Sequence, residues 1–105
     1  MASILDTIVQ RKHHEVSAAK ERTPLETLRE RVSTLEPARD FFGALATNQD
    51  LDSTRVIAEI KRKSPSAGLI WKNDEPFDPV DIARQYHAAG ASAISCLTDE
   101  VDFGG

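Results

Sequence analysis

The sequence predicts an α/β fold in which a helical amino-terminal stretch precedes one strand–helix–strand unit. Three observations carry this expectation. Residues 54–60 and 93–97 are short apolar runs, the first rich in Val and Ile, and both have the length of buried strands. Between them, Asp78-Pro79-Val80-Asp81 has the chemistry of a helix start and Gly90 that of a helix stop. Ahead of them, apolar residues recur at helical spacing. Two strands joined through a helix run parallel and are connected by a right-handed crossover.

Taken in order, residues 3–21 read as an amphipathic helix, with Ile4, Leu5, Ile8, Val9 and Val16 near helical spacing and charges between them. Thr23-Pro24-Leu25-Glu26 has the pattern of a capping box with proline at the first helical position. It starts a second helix that carries Leu25, Leu28 and Val32 on one side. Pro37 interrupts that pattern, and residues 39–46, with Phe41, Phe42 and Leu45, form a third short helix. Residues 48–53 are a polar connector. The strand 54–60 is followed by a long loop over 61–76, rich in Pro, Gly, Asn and Asp. In the helix 79–89, Asp78 caps, Pro79 takes the first turn and Asp81 favours the positive end of the dipole. After the strand 93–97, residues 98–105 leave as a loop. Residues 1–53 thus form a helical extension and residues 54–105 the strand–helix–strand unit of a single domain.

Composition narrows the function classes. With 40% apolar and 29% charged residues, the 105-residue chain has the balance of a folded globular protein rather than a disordered one. A net charge of −4 argues against a nucleic-acid binder, whose footprint is basic. No apolar run approaches the ~20 residues that span a bilayer, so no membrane partner is expected. Residues 4–9 are too short and too interrupted for a secretory leader. The lone Cys96 can make neither an internal disulfide nor a cysteine metal cluster. It is expected to be a small buried residue, and its usage is compatible with a cytoplasmic location. His13 and His14 are adjacent in a helix and diverge by about 100°, so they do not chelate one metal. His87, near the end of the 79–89 helix, suits the dipole or solvent.

The chemistry concentrates in Val56-Ile57-Ala58-Glu59-Ile60-Lys61-Arg62-Lys63-Ser64-Pro65-Ser66-Ala67-Gly68. Residues two apart on a strand point to one side, so Glu59 and Lys61 project together from its carboxyl end. In parallel α/β folds that end faces the substrate. Unlike charges in such a mouth suit a polar, anionic small molecule. Arg62 and Lys63 read as a solvated charge run. Ser64 can donate its hydroxyl to a carboxylate, Pro65 stiffens the turn that aims it, and Gly68 supplies backbone freedom. Trp71, in the loop, suits either covering a ligand or capping a hydrophobic edge.

The run from Val56 to Ser66 resembles the signature of the indole-3-glycerol phosphate synthase family, (β/α)8-barrel (TIM-barrel) lyases of tryptophan biosynthesis. Two apolar residues, any residue, Glu, an apolar residue, Lys, two variable residues and Ser-Pro follow without a gap. Ile4-Leu5-Asp6-Thr7-Ile8-Val9 and Thr23-Pro24-Leu25 resemble the family's amino-terminal helices. Gly90-Ala91-Ser92-Ala93-Ile94-Ser95-Cys96-Leu97-Thr98-Asp99 resembles its second barrel strand, and Phe103-Gly104 the loop beyond. The resemblance covers essentially the whole chain. It implies the amino-terminal part of a barrel of about 250 residues, with two of eight strands present and the third expected beyond Gly105. That third strand carries the family's general-acid lysine, and later strands carry a catalytic glutamate and phosphate-binding glycines.

The resemblance further implies a substrate, 1-(2-carboxyphenylamino)-1-deoxyribulose 5-phosphate, and a ring closure that releases carbon dioxide and water. Glu59 would supply an anion near the substrate nitrogen; its plainer role is a carboxylate paired with Lys61 at a barrel rim. Lys61 would hold phosphate or carboxylate and assist the acid step. Ser64, Pro65, Ser95, Leu97 and Phe103 would contact substrate, with Ser95 and Leu97 alternating towards the barrel interior and Phe103 bounding an apolar pocket for the anthranilate ring. Packing is the stronger expectation for Leu97. No cofactor and no metal are implied. The isolated 105 residues are expected to lack turnover. Two other expectations stand beside this one: an association or complementation module that self-associates through open sheet edges, and a different phosphate-binding barrel enzyme such as phosphoribosylanthranilate isomerase, for which the Glu-x-Lys-x-x-Ser-Pro run gives no support.

Overall fold

The computed structural model describes residues 1–46, 53–71 and 76–105. They fall into two compact units, Met1–Ala38 and Arg39–Gly105. No helix among the described residues is long and apolar enough to cross a membrane.

The first unit holds helices α1 (Ile4–Arg22) and α2 (Leu25–Ser33). The capping box sits at the start of α1 rather than α2. The Ser3 hydroxyl accepts from the Asp6 N–H at 3.1 Å, while the Asp6 carboxylate accepts from the Ser3 N–H at 2.8 Å and from its hydroxyl at 2.9 Å. The box expected at Thr23–Glu26 does not form. Thr23 instead closes α1, donating its N–H to the Ala19 carbonyl at 2.8 Å, and Pro24 precedes α2 with no side-chain cap. Two residues between helices leave Thr23 no backbone freedom to serve both ends. Glu26 bonds Arg29 one turn on, at 2.8 Å, and Lys12 pairs with Glu15 at 2.6 Å.

The second unit begins with α3 (Phe41–Ala46), where the Asp40 carboxylate accepts from the Gly43 N–H at 2.8 Å. Then come strands β1 (Ile57–Ile60), β2 (Lys63–Ser64) and β3 (Gly68–Leu69), helix α4 (Pro79–Ala88), strand β4 (Ala93–Cys96) and helix α5 (Glu100–Phe103). β1 and β4 pair in parallel, with Ile57 opposite Ala93, Ala58 opposite Ile94, Glu59 opposite Ser95 and Ile60 opposite Cys96. This is the expected strand–helix–strand unit. α4 begins as its sequence dictates: the Asp78 carboxylate accepts from the Val80 and Asp81 N–H groups at 3.0 and 3.2 Å, with Pro79 in the first turn. Gly90, at φ +92°, turns the chain out of the helix in a conformation that other residues resist.

Four expectations for this second unit are corrected. β1 is shorter than 54–60, because the chain opposite its start is still turning. The Ser92 hydroxyl, not a strand carbonyl, accepts from the Val56 N–H at 3.1 Å. The segment 61–76 is not featureless loop. β2 and β3 form an antiparallel hairpin within it, with Lys63 opposite Leu69 and Ser64 opposite Gly68. Residues 98–105 hold the helical turn α5, capped by the Asp99 carboxylate accepting from the Asp102 N–H at 2.8 Å. Cys96 is exposed rather than buried, since it shares with Ile94 a strand face left open to solvent. Residues 48–52 of the expected connector and 72–75 of the expected loop lie outside the described residues.

Burial is sparse. Among the described residues Ile60, at 4% exposure, is the one buried apolar side chain, and it lies at the end of β1. Position on the strand, more than depth of core, therefore arranges the candidate site side chains.

The α1 cap carries a pH signature. Hydrogen bonds from the Ser3 backbone and hydroxyl hold the Asp6 carboxyl below its usual 3.8. Its native value is depressed, so its contribution is fully present above pH 3.8 and fades as pH falls through the lowered value. Circular dichroism is expected to show more helix in the parent chain than in Asp6→Asn at neutral pH, with the gap closing in strong acid. A gap independent of pH would refute this account of the cap.

Candidate active site

Glu59 and Lys61 meet where β1 ends. The Lys61 Nζ lies 2.8 Å from the Glu59 carboxylate, and the two side chains are 32% and 47% exposed respectively. The ladder with β4 runs to Ile60, and Lys61 follows it directly, two residues on from Glu59. One hydrogen bond extends the pairing there: the Leu97 N–H donates to the Ile60 carbonyl at 3.0 Å. Register puts Ser95 beside Glu59, and side chains opposite one another in a parallel pair share a face. Glu59, Lys61 and Ser95 are thus brought to one side of the sheet, and Leu97, two residues beyond Ser95, continues the alternation.

Ser64 and Pro65 stand in the hairpin that follows. The Ser64 hydroxyl oxygen accepts from the Ala67 N–H at 3.1 Å and lies 3.5 Å from the Ser66 hydroxyl, a contact in which either oxygen can donate, so it organises the turn. Gly68 closes that turn at φ +68°, the backbone freedom expected of it. The Arg62 carbonyl accepts from the N–H groups of Ile70 and Trp71 at 2.9 and 3.1 Å, which ties the returning chain to the end of β1.

Phe103 is half-buried in α5, which packs against β2. Gly104 follows at φ +69°, its N–H bonded to the Glu100 carbonyl at 3.0 Å. A Cβ there would lie 3.2–3.3 Å from the side chains of Lys63 and Arg62, so glycine permits the close approach of α5 to β2. His13 and His14 are exposed on α1 and His87 is exposed on α4. Among the described residues, no group of three or more His, Cys, Asp or Glu side chains is placed to hold a metal ion.

Trp71, expected either to cover a ligand or to cap a hydrophobic edge, lines a groove, and Tyr86 in the same groove escaped the sequence reading. Trp71 meets Phe77 edge-on, with ring centroids 5.8 Å apart and planes at 71°, and a groove runs between this pair, Glu59, Lys61, Ile82 and Tyr86. The Tyr86 hydroxyl donates to the Glu59 carbonyl at 3.0 Å. Its signal in the sequence was its place four residues after Ile82 on the capped helix, an apolar helix position given a polar tip.

The family model for indole-3-glycerol phosphate synthase matches residues 5–105. Curated relatives named indole-3-glycerol phosphate synthase are 48% identical in Burkholderia multivorans (strain ATCC 17616 / 249), 47% in Burkholderia cenocepacia (strain HI2424) and 47% in Burkholderia vietnamiensis (strain G4 / LMG 22486). Each match covers 100% of this chain and 39% of the relative, so the chain spans about two-fifths of the length of these relatives.

A partly exposed ion pair contributes little to stability, because water competes for both charges and ordering two long side chains costs entropy. A double-mutant cycle of Glu59→Gln and Lys61→Met, read by urea unfolding, is expected to give a coupling of about 0.2–1 kcal/mol that weakens in high salt. A coupling several-fold larger would make the pair a structural device instead.

Proposed function

The chain belongs to the indole-3-glycerol phosphate synthase family, and from that premise we propose that it forms the helical extension and first βαβ unit of a (β/α)8 barrel that closes the indole ring. In this reading residues 1–53 are the extension, residues 54–105 the unit, and the location is cytoplasmic. The substrate is 1-(2-carboxyphenylamino)-1-deoxyribulose 5-phosphate, an anthranilate-type sugar phosphate, and the products are indole-3-glycerol phosphate, carbon dioxide and water.

The observation that carries the proposal is the Glu59–Lys61 pair at the carboxyl end of a parallel strand. Ring closure moves electron density onto the substrate carbonyl and leaves positive charge beside the nitrogen. An acid at the first and an anion at the second both lower the barrier. Glu59 supplies the anion. Lys61 holds phosphate or carboxylate and assists proton delivery at the carbonyl. The Ser64 hydroxyl donates to the substrate carboxylate; Pro65 keeps that turn stiff; Ser95 and Leu97 line the interior next to Glu59; and Phe103 bounds the space for the aromatic ring.

A second reading is favoured by the exposure of apolar side chains. Ile57 on β1 is 49% exposed and Ile94 on β4 is 37% exposed, and the sheet described has two strands. Such faces and edges recruit further strands, from a second copy or from a complementing segment.

Two measurements test these readings. The 105 residues alone are expected to form no indole-3-glycerol phosphate. Joined to the part of the Burkholderia multivorans synthase that the match leaves uncovered, they are expected to turn over, and Glu59→Gln is expected to lower kcat by about 10²-fold or more in that chimera. Robust turnover by the 105 residues, or an unaffected Glu59→Gln chimera, would sink the catalytic assignment. Sedimentation of the 105 residues is expected to show association, and a compact soluble monomer would remove the second reading.

A further inference from the structure

We infer that Asp99 is a positioning residue for Phe103, holding the turn that carries it; this rests on the proposed place of Phe103 beside the aromatic ring. A single helical turn does not sustain itself, because it fixes several residues for one hydrogen bond. α5 (Glu100–Phe103) therefore needs support from outside. Asp99 stands where the chain leaves the sheet. Pairing with β1 reaches Leu97, whose N–H is bonded to the Ile60 carbonyl, and Asp99 follows two residues on. Its backbone is extended, at φ −65° and ψ 120°, and its half-buried carboxylate accepts from the Asp102 N–H at 2.8 Å. That bond ends on the residue next to Phe103.

The other end of the turn is held as well. The Gly104 N–H is bonded to the Glu100 carbonyl at 3.0 Å, and Gly104 lies close to the stems of Arg62 and Lys63. α5 thereby rests on β2 (Lys63–Ser64), the segment that carries Ser64. With one end tied at the strand exit and the other against the hairpin, the half-buried Phe103 has little freedom to swing. Loss of the Asp99 cap frees the first end and leaves a part-buried N–H without its acceptor. None of these contacts uses an outer edge of the sheet. They join the segments that follow β1 and β4, two strands already paired with each other, so completion of a barrel leaves them in place.

In the 105-residue chain, Asp99→Ala is expected to speed amide hydrogen exchange at Asp102 and to shift the Phe103 ring resonances, while resonances of α1 stay in place. In the chimera with the Burkholderia multivorans remainder, Asp99→Ala is expected to raise KM about fivefold with kcat nearly unchanged, because the turn that presents Phe103 becomes a minor population of the free enzyme. Asp99→Asn keeps an oxygen for the cap and is expected to hold KM within about twofold of the parent. In a Phe103→Ala background, Asp99→Ala is expected to raise KM no further, since the two act as one unit. No rise in KM with Asp99→Ala, an equal rise with Asp99→Asn, or the same rise in the Phe103→Ala background would overturn the role of Asp99 while leaving the place of Phe103 intact. A Phe103→Ala chimera with parental KM would overturn that place and this inference together.

Discussion

The register between β1 and β4 is the constraint on which the rest of this unit depends. The side-chain period of a strand is two residues, so a slip by one would send Glu59 to the opposite face and separate it from Ser95. Several contacts oppose such a slip. Ile60 is buried at one end of β1, and a slip would exchange it with a charged neighbour. The Ser92 hydroxyl takes the Val56 N–H at the other end, a bond that only this alignment offers. The length of the crossover is set by the Asp78 cap and by Gly90, which start and stop α4 at fixed points. Charge placement at the site is thus a consequence of backbone pairing chosen by one apolar residue, one serine and two helix ends.

Beyond β1 the chain is shaped by glycines and by side-chain-to-backbone bonds rather than by packing. Gly68 lets the hairpin reverse tightly, Ser64 secures the turn, and Gly104 lets α5 approach the stems of Arg62 and Lys63. These devices hold segments at the strand end close to Glu59 and Lys61 without needing a deep core. They suit a site on loops carried by a scaffold, where local bonds give order and loop residues give chemistry.

What could be read from the sequence was local. The two strands, the Asp78-to-Gly90 helix and the shared direction of Glu59 and Lys61 all follow from spacing within a few residues, and the structure has them. The errors arose where one local signal competed with another. Thr23 carries both a cap for α2 and a stop for α1, and the short connection lets it serve only the stop, whereas Ser3 and Asp6 form the box that the pattern of α1 had concealed. The hairpin in the 61–76 segment needs Lys63 to find Leu69, and α5 needs β2 as its floor, so neither is visible as a periodic run. Cys96 looked buried because its neighbours in sequence are apolar, yet its exposure is decided by what covers β4 in space. Tyr86 bonds a backbone atom 27 residues away, a contact that no sequence period encodes.

Stability and geometry separate at the Glu59–Lys61 pair. Both side chains are open enough to water that their attraction is worth no more than about 1 kcal/mol, too little to hold the strand end in place against thermal motion. The direction of cause therefore runs from backbone to charge: register and the buried Ile60 fix where the two groups emerge, and the ion pair forms because they emerge together. A pair held in this way can exchange its internal partner for another charged group at little cost, since the scaffold does not rely on it. An acidic and a basic group tightly locked to one another would serve a catalyst less well than two that are placed by the main chain and remain open to solvent.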